Sequence, residues 1–250
     1  MIRREQEEKY ADLMIYDTWN PYDPMESDSP ENVTRLERRL QRDRDIVRKL
    51  LPHLRTVIEN PHRDEESVFQ VLRPYHLNAQ EVPMTPSDLP EIQALCRLVL
   101  ELGGRGQQDL QRVLLRLIGA TAAAESVSFL IDMLHYSRRG DQFGPERRQL
   151  ALWGLARVAI FHDVPEAYAA LEEGLDDRRA KVRITAADLI INAYMDRYSV
   201  HQTVPKQVVA RLCDIAQSDP DKDVRRVIRR HLREPWAKDH DIDKEVTYYE

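Results

Sequence analysis

The sequence predicts an all-α protein built as an array of repeated helix pairs, and three observations carry that prediction. One pattern occurs twice. Asp177 precedes Val182-Arg183, Ala186 and Ile190, and Asp219-Pro220 precedes Val224-Arg225, Ile228 and Leu232, with Val182 and Val224 42 residues apart. Two further apolar stripes keep nearly the same step: Leu130, Leu171 and Leu212 recur at 41 residues, as do Val127, Tyr168 and Val209. A fixed step of this size marks a helical array, in which each unit buries a face only by stacking on its neighbours. Third, eight Gly and 7% aromatic residues are too few for a chain of short strands and tight turns.

Taken in order, residues 2–18 read as a helix, with Ile2, Tyr10, Leu13, Met14 and Ile15 as apolar points. Pro21, Pro24 and Pro30 make residues 20–30 a linker. Ser29-Pro30 is a good start for a helix over about 30–51, because Ser caps and Pro tolerates the first helical position. Its apolar line is narrow, running through Val33, Leu36, Leu40, Val47, Leu50 and Leu51. Interleaved Arg, Glu and Asp cover its other faces, which reads as a solvated, ion-paired surface. Pro52 predicts a break or kink, with short helices at 53–59 and 64–73 and a connector over 74–86. Thr85-Pro86-Ser87-Asp88 then resembles a capping box opening a helix through Leu89, Ile92, Leu95, Cys96 and Val99, which Gly103-Gly104 ends.

Beyond this point the helices become regular. Apolar stripes predict helices at Leu110–Ile118 and Val127–Leu134, then from Pro145, from Pro165, over Val182–Met195, from Pro205 and over Val224–Leu232. The predicted organisation is a helical region over 1–104 with linkers at 20–30 and 74–86, a repeat array over 105–232 and an acidic tail over 233–250. The array is formally +3 within a chain of −6, too mild an excess for a dedicated nucleic-acid binder.

The Asp177…Val182-Arg183…Ala186-Ala187 and Asp219-Pro220…Val224-Arg225…Ile228 segments resemble HEAT repeats. Leu114…Leu117-Ile118-Gly119, followed by Ala124, Val127 and Leu130, looks like the short variant of phycobilin-lyase-type HEAT proteins. The resemblance covers 105–232 well and 1–104 only in helical pattern. It implies a right-handed α-α superhelix of the HEAT/armadillo-like solenoid type, usually a binding scaffold. It also implies that Arg183 and Arg225 pair with an Asp of a neighbouring turn, the candidates being Asp177, Asp219, Asp221 and Asp223. Arg147 stands where the later repeats carry Val182 and Val224, so the earlier repeat departs from the pattern. That repeat also carries an insertion over Ser137–Gly144, and a second long connector spans Tyr194–Val204. Long connections in a compact array are functional or disordered.

Function is therefore sought in what does not repeat. Arg138, Arg139, Phe143, Arg226, Arg229 and Arg230 are the expected contacts for a partner, on the inner face formed by the second helices of the pairs, with the Ser137–Gly144 loop at one rim. The expected function is a non-enzymatic protein–protein interaction scaffold or adaptor, and the expected partner is another protein with an acidic segment. Two alternatives stay open. One is nucleic-acid binding of the kind seen in bacterial alkylpurine DNA glycosylases built from HEAT-like repeats, for which Trp153, Tyr194 and Asp188 are candidates by residue type. The other is a bilin-lyase-like accessory role, suggested by the repeat subtype alone.

The eight His are spread along the chain and form no zinc-type spacing with cysteine, so no metal site is expected. Without a Gly-rich phosphate loop or a nucleophile elbow, no catalytic residues and no cofactor are expected either. Cys96 and Cys213 lie inside apolar helical pattern and read as buried thiols. The charged N-terminus lacks the apolar core of a signal peptide, and no run reaches the roughly 18 apolar residues of a membrane span. A cytoplasmic protein without a membrane partner is the expectation.

Overall fold

The computed structural model describes residues 30–78, 84–138, 140–196, 201, 203–234 and 236–237, with the side chains of 30–36, 39 and 73–78 outside that description. The helix expected over 2–18, the linker before Pro30, Arg139, most of 197–202 and the tail from 238 lie outside the described residues. The described residues are helical, without a strand, and the helices pack against one another. The chain divides into two compact units between Thr121 and Ala122.

The first unit holds α1 (Pro30–Glu59), α2 (Glu65–Asn78), α3 (Leu89–Leu102) and α4 (Gln107–Thr121). Helices α1 and α2 pair, as do α3 and α4, and α1 packs on α3 while α2 packs on α4. Of the break or kink expected at Pro52, the break does not occur: Pro52 lies inside α1, which runs on through the separate helix expected at 53–59. The reason is register. Val47, Leu50, Leu51, Leu54 and Ile58 form one buried stripe that continues through the proline. Burying five such side chains outweighs the single backbone hydrogen bond that Pro52, itself on the exposed side, cannot donate. The connector expected from residue 74 is likewise helical as far as Asn78.

The capping box is present. Thr85 donates its backbone N–H to the Asp88 carboxylate at 2.9 Å, at the head of a 3-10 turn over Pro86–Asp88 that leads into α3. The same carboxylate receives Arg48 of α1 through Nε at 2.8 Å and Nη2 at 2.9 Å. The Arg48 hydrogen bond, working against burial, holds the Asp88 carboxyl down at about 2. Gly103 ends α3 at φ 63°, a conformation costly for a residue with a Cβ. Arg63 closes the unit. Arg63 is 6% exposed, and its guanidinium donates to Ile58 O at 2.7 Å, Arg105 O at 3.0 Å and Gly103 O. It thereby satisfies carbonyls that α1 and α3 leave without intrahelical partners.

The second unit holds α5 (Val127–His135), α6 (Gly144–His162), α7 (Pro165–Gly174), α8 (Ala180–Met195), α9 (Lys206–Ser218) and α10 (Lys222–Leu232). They form three successive pairs, α5 with α6, α7 with α8 and α9 with α10. The second helices of the pairs line up, α6 on α8 and α8 on α10. The stripes read from sequence are the buried ones: Leu130, Leu171 and Leu212 are fully buried, as are Val182, Ala186, Ile190, Val224 and Ile228. Gly174 shows how tightly the pairs meet. A Cβ there would lie 2.9 Å from both the Ala186 Cβ and a Leu152 methyl.

Candidate interaction site on the last helix

The site is built by the turn that precedes each second helix. Asp141, Asp177 and Asp219 each accept the backbone N–H two residues on, from Phe143 at 3.1 Å, Arg179 at 2.7 Å and Asp221 at 2.8 Å. This Asx turn is the local chemistry that lets a short acidic side chain shape a helix entry. Asp221 adds a true N-cap, accepting from Asp223 N at 2.8 Å and Val224 N at 3.3 Å.

The turns are linked from one pair to the next by arginines. Arg148 of α6 reaches Asp177 with Nε and with Nη2, the latter at 3.0 Å. Arg183 of α8 reaches Asp219 in the same two-pronged way, with Nε and Nη2 both at 2.7 Å. Nη1 of Arg183 turns back to the Asp177 carbonyl at 2.7 Å. Such fork-on-carboxylate pairs combine charge with fixed geometry. Burial opposes the charge on Asp219, but the Arg183 hydrogen bonds and the Asp221 N–H together hold its carboxyl below the usual carboxylate range. The Asp219 bond in turn raises Arg183.

Arg225 occupies the next position, and its bonding is different. Its Nη1 turns back to the Asp219 carbonyl, as Arg183 does to Asp177. No carboxylate pairs with it among the described residues. The resemblance implied an aspartate partner for both arginines; Arg183 has one, while Arg225 has a backbone carbonyl.

Arg225 opens instead onto a groove of about 630 Å³, lined by Lys222, Asp223, Arg225, Arg226, Arg229, Arg230 and Arg233. Helix α10 buries Val224, Ile228, His231 and Leu232 on one side and carries these cations on the other. Arg226, Arg229 and Arg230, singled out from sequence, are brought together here. Arg226 meets Asp223 at 3.1 Å in an exposed pair, and Arg229 Nε donates to Ala216 O at the end of α9 at 3.0 Å. The lining comes from α10 and the residue after it, with none from α6 or α8.

The other expected contacts lie apart from this groove. Arg138 is exposed in the loop before α6, Arg139 is outside the described residues, and Phe143 is 3% exposed at the entry to α6. Arg147 takes the fully buried position of Val182 and Val224. Its charge is met by Asp141, and its guanidinium lies 4.5 Å from the centre of the Tyr136 ring. The departure noted in sequence is thus accommodated by the inserted loop, which supplies Asp141. Tyr194 stacks on Tyr168 at 4.6 Å, and burial pushes its hydroxyl up to about 12. Trp153 has Arg157 5.3 Å from its ring centre, and Asp188 is held by His231.

His231 is a contact that sequence reasoning missed. Its ring joins Asp188 of α8 and Glu234 at 2.9 Å, tying α10 to α8. The Asp188 bond, opposed by burial, raises the imidazole above its ordinary value. The two residues are 43 apart in the chain, so no local pattern announces them. Among the described residues no three His, Cys, Asp or Glu side chains gather as metal ligands, and no helix is long and apolar enough to cross a membrane. Cys96 is buried and Cys213 half-buried, with no disulfide between them. No protein-family model matches the chain, and no curated protein or solved structure matches it.

Proposed function

We propose that this protein is a non-enzymatic interaction scaffold, a cytoplasmic HEAT/armadillo-like array whose last helix holds an acidic segment of another protein. The observation that carries the reading is the groove on α10, where six cationic side chains, Lys222, Arg225, Arg226, Arg229, Arg230 and Arg233, share a face with a single acid, Asp223. Concentrated like charge gives little to a fold and costs self-repulsion, whereas an acidic ligand relieves it and is steered toward it. Three pairs of helices with their second members in a row, linked turn to turn by Arg148–Asp177 and Arg183–Asp219, support the solenoid side of the reading.

The test uses Arg226→Glu with Arg230→Glu in the full chain. Both side chains are exposed, so the melting temperature is expected to stay put while capture of a partner crosslinked to α10 through an acidic segment is lost. Capture that is unchanged would sink the reading. A gel shift with single- and double-stranded DNA and RNA at moderate salt runs beside it. Binding abolished by the same pair would turn the groove into a phosphate-backbone site.

A further inference from the structure

We infer that Arg225, the rung of the arginine–aspartate ladder that pairs with no carboxylate among the described residues, is a receptor for one aspartate carboxylate at the head of a helix in the partner protein. The inference rests on the interaction reading above and names what that site recognises. Rung by rung, the ladder defines what is missing. Arg148 grips the Asp177 carboxylate, which caps the turn before α8. Arg183 grips the Asp219 carboxylate in the turn before α10 and holds the Asp177 carbonyl behind it. Arg225 makes the backward bond to the Asp219 carbonyl through Nη1, as Arg183 does to the Asp177 carbonyl. Its forward partner would be the next Asx-turn aspartate, and among the described residues no carboxylate stands there.

The backward bond anchors Nη1, leaving Nε and Nη2, the two groups that Arg183 uses on Asp219. Arg226, Arg229, Arg230 and Arg233 surround it, so a carboxylate enters a groove with a strong bias for negative charge. The occupant this geometry fits is an aspartate whose side chain already accepts a backbone N–H two residues on, as in Asp177 and Asp219. A docked segment of that kind extends the array by one rung. A phosphate would be drawn by the same charge but would not require that turn.

The probe is a synthetic nonapeptide with the sequence of residues 216–224, the segment that seats on Arg183, labelled for fluorescence anisotropy and titrated with the full-length chain. Binding is expected at low salt, and replacing its first aspartate (Asp219→Asn in the peptide) is expected to weaken it about tenfold, as is Arg225→Lys in the protein, since lysine cannot grip both carboxylate oxygens. An unchanged melting temperature for Arg225→Lys shows that the loss is not one of folding. Equal binding by both peptides, or by both proteins, overturns the proposal and leaves only diffuse charge attraction. Changing Asp239, Asp241 and Asp243 together to Asn in the full chain tests the other source of carboxylates. Unchanged affinity keeps the slot for a partner, whereas a tenfold gain assigns it to this chain's own tail and overturns the proposal. Partner capture that fails in the Arg226→Glu/Arg230→Glu chain but persists in Arg225→Lys removes this inference and leaves the interaction reading standing. Capture indifferent to all three changes removes that reading, while the peptide titration still reports on the slot.

Discussion

Arg183 and Arg225 occupy the same position one repeat apart, and they differ in one partner. Both follow a fully buried valine, and both reach back to the carbonyl of the aspartate six positions earlier. Arg183 also holds Asp219, with the two side chains only 11% and 5% exposed. Arg225 faces a groove shared with four other arginines and Lys222. The same sequence signature is therefore an ion-paired joint at Arg183 and a groove-lining cation at Arg225.

The largest expected effect breaks the inner joint. Asp219→Ala leaves Arg183 buried without its carboxylate and strips Asp221 of its N–H acceptor. Removing one partner of a buried ion pair costs about 3–5 kcal/mol, so chemical denaturation should show a midpoint shift large enough to see without curve fitting. A cost below about 1 kcal/mol would mean that the ladder is decorative.

The first repeat sharpens the contrast by a different route. Arg147 occupies the valine position and its charge is met by Asp141. Arg147→Met alone strands the Asp141 carboxylate, whereas Arg147→Met with Asp141→Asn removes both charges and keeps the acceptor for Phe143 N–H. The double variant is expected to be more stable than the single by about 1–2 kcal/mol, because a buried pair can be replaced by apolar packing more cheaply than it can be halved. Equal stabilities in a double-mutant cycle would show that Asp141 and Arg147 are not coupled.

His231 gives a smaller effect with a defined sign. Its folded value is raised by Asp188, so the protonated ring is the stabilising form. The contribution is fully present below the ordinary value of 6.5 and is lost as pH rises through the higher folded value. Melting temperatures from about pH 5.5 to about pH 8.5 should fall more in the wild type than in Asp188→Asn, whose imidazole has lost its main partner. Parallel curves would detach His231 from the link between α8 and α10.

Much of this architecture was legible because it is periodic. The stripes through Leu130, Leu171 and Leu212 and through Val182 and Val224 are buried as their spacing implies. Helix starts at Pro145, Pro165 and Pro205 fall within a residue of the helices observed. Pro52 misled because local backbone chemistry was weighed without the stripe that continues on both sides of it. The gathering of Arg226, Arg229 and Arg230 was visible because all three lie on one helix. The ladder was visible only in half. Sequence offered four aspartates for two arginines, and nothing local distinguishes the arginine that grips a carboxylate from the one that meets a backbone carbonyl. The contacts of Arg63 with Gly103 at the end of α3, and of His231 with Asp188, join residues 40 and 43 apart and leave no trace in periodicity.

The smallest stability effect is expected at Arg225 itself, and its smallness is the point. Arg225→Gln removes a charge with no ion-paired carboxylate among the described residues and one bond to the Asp219 carbonyl. Against this, it lowers the repulsion among Arg226, Arg229, Arg230 and Arg233. The two terms oppose, and the net change should lie within about 0.5 kcal/mol of zero, the range of surface substitutions away from special features. The same change at Arg183 strands Asp219 at 5% exposure and should cost several times more. Measuring both in one denaturant series separates a joint from a receptor. If Arg225→Gln costs as much as Arg183→Gln, then Arg225 holds the fold together from the end of the array, and the groove on α10 is a by-product of that role.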